Sequence, residues 1–126
     1  MATAEDVREI ALTLPRAYEV WVRDRVKYRV GRIVFLSLSP DESLLGFGFP
    51  KEMREALVAA EPHKFLMPIA SDMRYNWLRL RLAEVERDEL WELIVDAWWG
   101  TVPKFVREGF MAGVEQERAA ASDGTA

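Results

Sequence analysis

Trp21-Val22-Arg23-Asp24-Arg25-Val26-Lys27-Tyr28-Arg29-Val30-Gly31-Arg32-Ile33-Val34-Phe35-Leu36-Ser37-Leu38 is the stretch whose reading decides the fold. Its first half alternates. Arg23, Arg25, Lys27 and Arg29 fall two apart, with Val26, Tyr28 and Val30 between them. In an extended chain, residues two apart share a face, so cations line one side and apolar groups the other. Tyr18 to Val30 reads as a strand, or as a bent hairpin with Asp24 at its turn, which would divide the basic row between two strands. Gly31-Arg32 reads as a tight turn. Ile33 to Ser39 is a strongly apolar strand. Further on, Trp77, Arg79 and Arg81 alternate with Leu78, Leu80 and Leu82. Two strands with a basic face are the unusual chemistry of this chain.

The chain has 126 residues, of which 50% are hydrophobic and 30% charged. That length fits one domain, and that apolar share supports a core without covalent staples. There is no cysteine, which excludes disulfides, thiolate metal sites and cysteine nucleophiles and fits a reducing compartment. No apolar run approaches the ~18 residues that cross a bilayer. The start, Met1-Ala2-Thr3-Ala4-Glu5-Asp6, lacks the basic and apolar regions of a signal peptide, so the expected compartment is the cytoplasm, with no membrane partner. Net charge is −4, unlike the basic balance of most nucleic-acid-binding domains. The charge is uneven, however. Arg16, Arg23, Arg25, Lys27, Arg29 and Arg32 face only Glu19 and Asp24 in their segment, whereas Glu84, Glu86, Asp88, Glu89, Glu92 and Asp96 cluster around Arg87. A local patch can steer an anionic partner despite an acidic whole.

Thr3 and Asp6 match a capping box for a first helix, with Val7, Ile10, Ala11 and Leu14 on one stripe and Pro15 after it. Pro40 to Ser43 reads as a turn, and Leu44 to Phe49 as a strand ended by Pro50. Met53, Ala56, Leu57 and Ala60 give Lys51 to Ala60 a helical spacing, closed by Pro62. Phe65 to Asn76 has no period and reads as a loop. Trp77 to Leu82 is a strand. Leu90, Trp91, Leu93, Ile94, Ala97 and Trp98 make Arg87 to Trp99 the longest helix, capped by Gly100. Thr101 and Pro103 suit the start of a last helix with Phe105, Val106 and Phe110 inward. From Glu115 the chain turns polar and alanine-rich, so the domain is expected to span 1–114, with 115–126 a disordered tail. Sequence-adjacent strands with short turns predict an antiparallel sheet. The expected class is α+β: two layers, about five antiparallel strands, and helices packed on one face.

The basic face admits three readings. It can hold phosphates, because the arginine fork matches them while Trp77 or Tyr75 stacks on a base. It can be a solvated surface whose cations pair with Glu19, Asp24 or Glu84, each pair worth under about 1 kcal/mol. Or its charge can discourage edge-to-edge aggregation. Gly46-Phe47-Gly48-Phe49 is a poor match to the core of an RNA-recognition motif, because Leu45 stands where a base belongs and Pro50 ends the strand. Its glycines mark a bulge or a close helix-to-sheet approach, with Phe47 and Phe49 in the core. His63, the single histidine, lacks triad or metal partners and reads as a surface or capping residue. Asp88, Glu89, Glu92 and Asp96 read as a solvated helix face. An exposed tryptophan, or Met67-Pro68-Ile69, is a candidate apolar contact.

Several segments together resemble the MmcQ/YjbR-like family of small bacterial domains. They are Asp6-Val7-Arg8 through Leu14-Pro15, and Arg29-Val30-Gly31-Arg32-Ile33-Val34-Phe35. Next come Glu52 through Ala56-Leu57-Val58-Ala59-Ala60, and Pro62 to Phe65. Last are Trp77 to Leu82, Asp88-Glu89-Leu90 with Ala97-Trp98, and Val102-Pro103-Lys104. The resemblance runs to about Val106. It implies an antiparallel sheet covered on one side by helices, called a double wing, and a DNA-binding role, with no catalytic motif to carry over. The architecture is also similar to that of secretion chaperones, which bind proteins. The chain departs from the family at Gly31-Arg32, where a glycine pair is usual. It departs again at Tyr75-Asn76, where glycines usually precede the tryptophan, and this second change would stiffen a loop or reshape a binding lip.

The expected function is therefore a non-enzymatic binding module for DNA or another polyanion, through Arg23, Arg25, Lys27, Arg29, Trp77, Arg79 and Arg81. No catalytic residue, metal or cofactor is expected. The alternative is a protein-interaction module, monomeric or dimeric.

Overall fold

Thr3 starts the first helix as its spacing predicts. Its hydroxyl accepts from the Asp6 backbone N–H at 3.2 Å, and the Asp6 carboxylate accepts from the Thr3 N–H at 2.9 Å. Two of the orphan donors at the helix end are thereby satisfied. The computed structural model describes residues 1–124. It contains α1 (Ala4–Thr13), β1 (Ala17–Val22), β2 (Arg25–Val30), β3 (Ile33–Leu38), β4 (Leu44–Gly48), α2 (Lys51–Ala60), β5 (Phe65–Leu66), β6 (Trp77–Arg81), α3 (Arg87–Trp99) and α4 (Lys104–Gly124). Short 3-10 turns lie at Ala70–Asp72 and Leu82–Glu84.

The strands form one antiparallel sheet in the order β1-β2-β3-β4-β6-β5. It has six strands, against the five expected. The extra strand, β5, is a two-residue piece inside the segment read as a loop, pairing Phe65 with Leu80 and Leu66 with Arg79. So short a strand carries no periodic signal; it is held by its neighbour. The Arg23-Asp24 pair forms the first hairpin turn, with Arg23 at φ 58°. Gly31, at φ 60°, opens the second, where the left-handed backbone favours glycine.

The alternation in β2 places Val26, Tyr28 and Val30 in the core and leaves Arg25, Lys27 and Arg29 half-buried on the other face. In β3 the rule of two breaks. Pairing moves from Tyr28–Leu36 to Arg29–Val34, so Phe35 is an extra residue in a β-bulge. This lets Phe35 and Leu36, adjacent in sequence, both be buried. Leu38, Leu45, Phe47, Leu78 and Leu80 complete the covered face beneath α1 and α3. Trp98 lies at its centre, fully enclosed. Its indole N–H donates to the Pro15 carbonyl at 2.9 Å, and Phe110 of α4 meets it edge-on at 5.0 Å between centroids. An aromatic buried in this way contributes about 3 kcal/mol or more.

Charged contacts fasten the helices to one another. Arg87 at the start of α3 donates to Asp6 and Glu9 of α1 at 2.6 and 2.9 Å. Lys64, just before β5, holds Glu61 at 3.0 Å and Glu89 of α3 at 2.9 Å. Glu89 thus joins a link between elements, while Asp88, Glu92 and Asp96 remain exposed. The last helix continues beyond Glu115, where a disordered tail was expected, to Gly124, so at 21 residues it exceeds the 13-residue α3 expected to be the longest; Thr125 and Ala126 lie outside the described residues. Among the described residues, no helix is long and apolar enough to cross a membrane.

Candidate functional site

The uncovered face of the sheet is a groove with a small-residue floor and long, charged walls. One row of paired residues crosses it. Lys27 of β2 faces Ser37 of β3, Ser37 faces Gly46 of β4, and Gly46 faces Arg79 of β6. With strands ~4.8 Å apart, the backbones of Lys27 and Arg79 stand roughly 14 Å apart. Two of the smallest side chains lie between them. Arg25, Lys27 and Arg32 form one wall. Trp77 and Arg79, with Ile69, Asp72 and Tyr75 from the loop before β6, form the other. The groove encloses about 540 Å³.

Gly46 decides how the tryptophan sits. A Cβ there would meet the Trp77 indole at 2.7–2.9 Å, below contact distance, so the ring lies directly on the backbone of β4. The sequence expectation of a bulge or helix contact at this glycine is therefore corrected: the close approach comes from an aromatic ring on the open face. Gly48 approaches Ala97 of α3 at an ordinary 3.8 Å.

The wall made by the loop is pinned from beneath. Arg54 of α2 is 6% exposed and is the buried charged residue of the described chain. Its guanidinium donates to the carbonyls of Met73, Tyr75 and Trp77 at 2.5, 2.9 and 3.3 Å. Asn76 accepts the Lys51 backbone N–H at 3.1 Å, capping α2 from outside because Pro50 offers no side-chain cap. Lys51 Nζ donates to the Arg74 carbonyl at 3.3 Å. At the other end of the loop, Arg79 Nε donates to the Met67 carbonyl at 2.9 Å. The Asn76 departure noted in the sequence thus stiffens the loop by tying it to α2.

Among the described residues, Asp24 is the one acid paired with a groove cation. Glu19 lies on the helix-covered side, where it takes Arg8 at 3.4 Å and the Tyr28 hydroxyl at 3.0 Å. Asp24 pairs with Arg25 at 3.2 Å. Among the described residues, Lys27, Arg32 and Arg79 have no carboxylate within 4.0 Å. The terminal nitrogens of Arg79 make no hydrogen bond there either. Asp72 is the acid of the groove lining, and its carboxylate has no partner among the described residues.

Arg25, Lys27, Trp77 and Arg79 are thus brought together, and Arg23, Arg29 and Arg81 are set apart. Arg23 occupies the hairpin turn, exposed. Arg29 lies beyond the bulge, its Nε enclosed without a hydrogen-bond partner. Arg81 donates to the carbonyls of Pro62 and exposed His63, both at 3.1 Å, and braces the chain after α2.

The model of the YjbR family matches residues 12–99. The chain belongs to the YjbR family. The fold is similar to that of the crystal structure of Deinococcus radiodurans protein DR2400, a DUF419 domain. The TM-score is 0.71 and identity 20%, over 86% of this chain and 88% of that one. At that identity the likeness shows the fold alone. No curated protein matches the chain.

Sequence reasoning missed two groove residues of this YjbR domain, Arg32 and Asp72, as site residues, and also Arg54, which pins the groove wall. Arg32 follows the turn glycine in the hairpin between β2 and β3 and lines the groove; the hairpin reading already contained that signal. Arg54 sits three and four residues before Leu57 and Val58, on the inward stripe of α2, where a cation is out of place. Asp72 carried no signal, since a loop without period hides where its side chains lie.

A second cleft, of about 660 Å³, opens between Phe49, Pro50 and Met53 on one side and Trp91, Trp99 and Met111 on the other. Asp96 stands at its edge, and apolar surroundings push its carboxyl above the usual range although one side meets water.

Proposed function

We propose that this YjbR domain is a non-enzymatic module that binds nucleic acid in the open-face groove. The observation that carries the reading is the collection of Arg25, Lys27, Arg32 and Arg79 around a floor of small residues, with Asp24 the sole acid among the described residues paired to any of them. Four cations around one groove attract a polyanion, and the arginine forks bind phosphate oxygens bidentately. Trp77, and the face of Tyr75 that the Arg74 guanidinium does not cover, present ring surface for a base, worth ~1–3 kcal/mol by stacking. Asp72 apart, the acids that give the net negative charge do not line this groove.

The test is fluorescence anisotropy with labelled DNA and RNA oligonucleotides at two salt concentrations. The comparison variant is Lys27→Glu/Arg32→Glu, whose replaced side chains hold nothing else in the fold. Binding should weaken with salt, and losing two phosphate contacts should lower the log–log salt slope by about 1.4 for a single strand. Absence of binding at low salt refutes the reading.

The protein-interaction alternative draws on Ile69, which is 53% exposed in the same loop. A protein partner there would bind with little salt dependence and would tolerate the charge-reversed pair.

A further inference from the structure

Asp72 is the feature of the groove that phosphate binding leaves unused. An acid in a basic groove opposes a polyanion, and its removal would favour one. Its carboxylate holds no hydrogen bond or ion pair among the described residues. The turn around it is made by backbone alone, with Asp72 N–H donating to the Ile69 carbonyl at 2.9 Å and the Asp72 carbonyl accepting from Tyr75 N–H at 3.0 Å. The side chain therefore does no work for the fold, yet it lines the groove between Ile69 and Tyr75 and faces the same space as Trp77.

We infer that Asp72 reads the edge of an unpaired guanine base lying on the aromatic wall of the groove. This inference rests on the nucleic-acid reading above. A carboxylate is an acceptor with two oxygens side by side. It is matched by two adjacent donors, and guanine offers them on its pairing edge, N1–H beside the N2 amine. Adenine and cytosine offer one amine beside an acceptor nitrogen, and thymine one N–H between two carbonyls. Each of these meets the carboxylate with one attraction and at least one repulsion. The cations supply the other half of the ligand: Arg25, Lys27 and Arg32 face Asp72 across the floor, where a phosphate on the same nucleotide would lie. A groove of about 540 Å³ has room for one nucleotide, and the pairing edge of guanine is free to meet a carboxylate only when the base is unpaired. The shared chemistry is a guanine base bearing a phosphate, in a single strand or as a mononucleotide.

The experiment uses the full chain and thymine-tract oligonucleotides carrying one central guanine, inosine, adenine or no substitution. A lone guanine avoids folded guanine structures. The guanine strand should bind roughly 5- to 100-fold more tightly than the plain tract, the discrimination of a good bidentate pair. Inosine keeps N1–H and lacks the amine, so it should fall between. Asp72→Ala, which breaks no contact of the fold, should abolish the gap and tighten binding to the plain tract by removing an anion. An unchanged melting temperature confirms that the variant is folded. Equal binding of guanine, inosine and plain strands overturns the inference while leaving the nucleic-acid reading intact. A gap that persists in Asp72→Ala overturns the role of that residue. Failure of every strand to bind overturns the parent reading as well. Competition by guanosine monophosphate against adenosine monophosphate separates the two sources of the base. Displacement by the guanine nucleotide at or below the strand's own concentration assigns the site to free nucleotide, and weaker displacement to a strand.

Discussion

Arg54→Met is the most searching test of how this domain holds its groove. The guanidinium donates to three carbonyls of one loop, at Met73, Tyr75 and Trp77, and no carboxylate among the described residues shares it. A hydrogen bond to a charged group contributes about 1.5–3 kcal/mol net, so three sum to roughly 5–9 kcal/mol before offsets. Two offsets apply. Burying the charge without a counter-ion costs several kcal/mol, which methionine avoids. Met73 and Tyr75 belong to an exposed loop, which can shift to bring their freed carbonyls to water. The net loss should be about 2–4 kcal/mol. With an unfolding entropy of about 2.1 cal/mol/K per residue, 126 residues give roughly 4 °C per kcal/mol, hence a melting temperature about 8–15 °C lower. Urea unfolding should show a lower midpoint at unchanged slope. Amide exchange should accelerate most between Ile69 and Trp77, since that segment loses its anchor first. Arg54→Lys should lose most of the same stability, because an ammonium on a shorter stem cannot reproduce the planar fork. A methionine variant within about 0.5 kcal/mol of the parent, with the loop's exchange unchanged, would refute the view that Arg54 pins the groove wall.

Two further outcomes follow from the geometry. Gly46→Ala sets a methyl group at 2.7–2.9 Å from the Trp77 indole. The ring must lift, costing about 1–3 kcal/mol and shifting the Trp77 indole N–H resonance; an unmoved resonance argues against the close approach. Tyr28 has its phenol pushed up by burial first and by the Glu19 carboxylate second. A raised phenol keeps its full contribution below the unfolded value of about 10 and loses it as pH rises through the folded value. Stability should therefore fall above about pH 10, and Tyr28→Phe should flatten that alkaline arm in urea titrations against pH.

The capping box at Thr3 and Asp6, the hairpin at Gly31 and the long helix to Trp99 were legible because each rests on local chemistry. So was the two-faced character of β2, whose side chains obey a period of two. Phe35 shows where that legibility stops. Strict alternation would put it on the open face with Ser37, and only the pairing partner across the strand reveals the bulge that turns it inward. Strand β5 escaped for the same reason. Two residues hold no pattern, and their extended form is imposed by hydrogen bonds from β6.

The candidate site divides along the same line. Local sequence determined that Arg25 and Lys27 share a face, and that Trp77 and Arg79 share another, because side-chain alternation depends on neighbouring residues alone. It also determined the family, the antiparallel architecture and the local excess of cations. Tertiary structure decided which cations meet. The sheet order put β2 and β6 three strands apart with Ser37 and Gly46 between them, so two stripes became the walls of one groove. Arg32, at the hairpin turn, joined that groove and Arg29 did not, while backbone carbonyls far along the chain took up Arg81 and Arg54. The physical reason is range. Propensity, capping and alternation act over a few residues, whereas the partner of a charge is whatever the folded chain brings within about 4 Å.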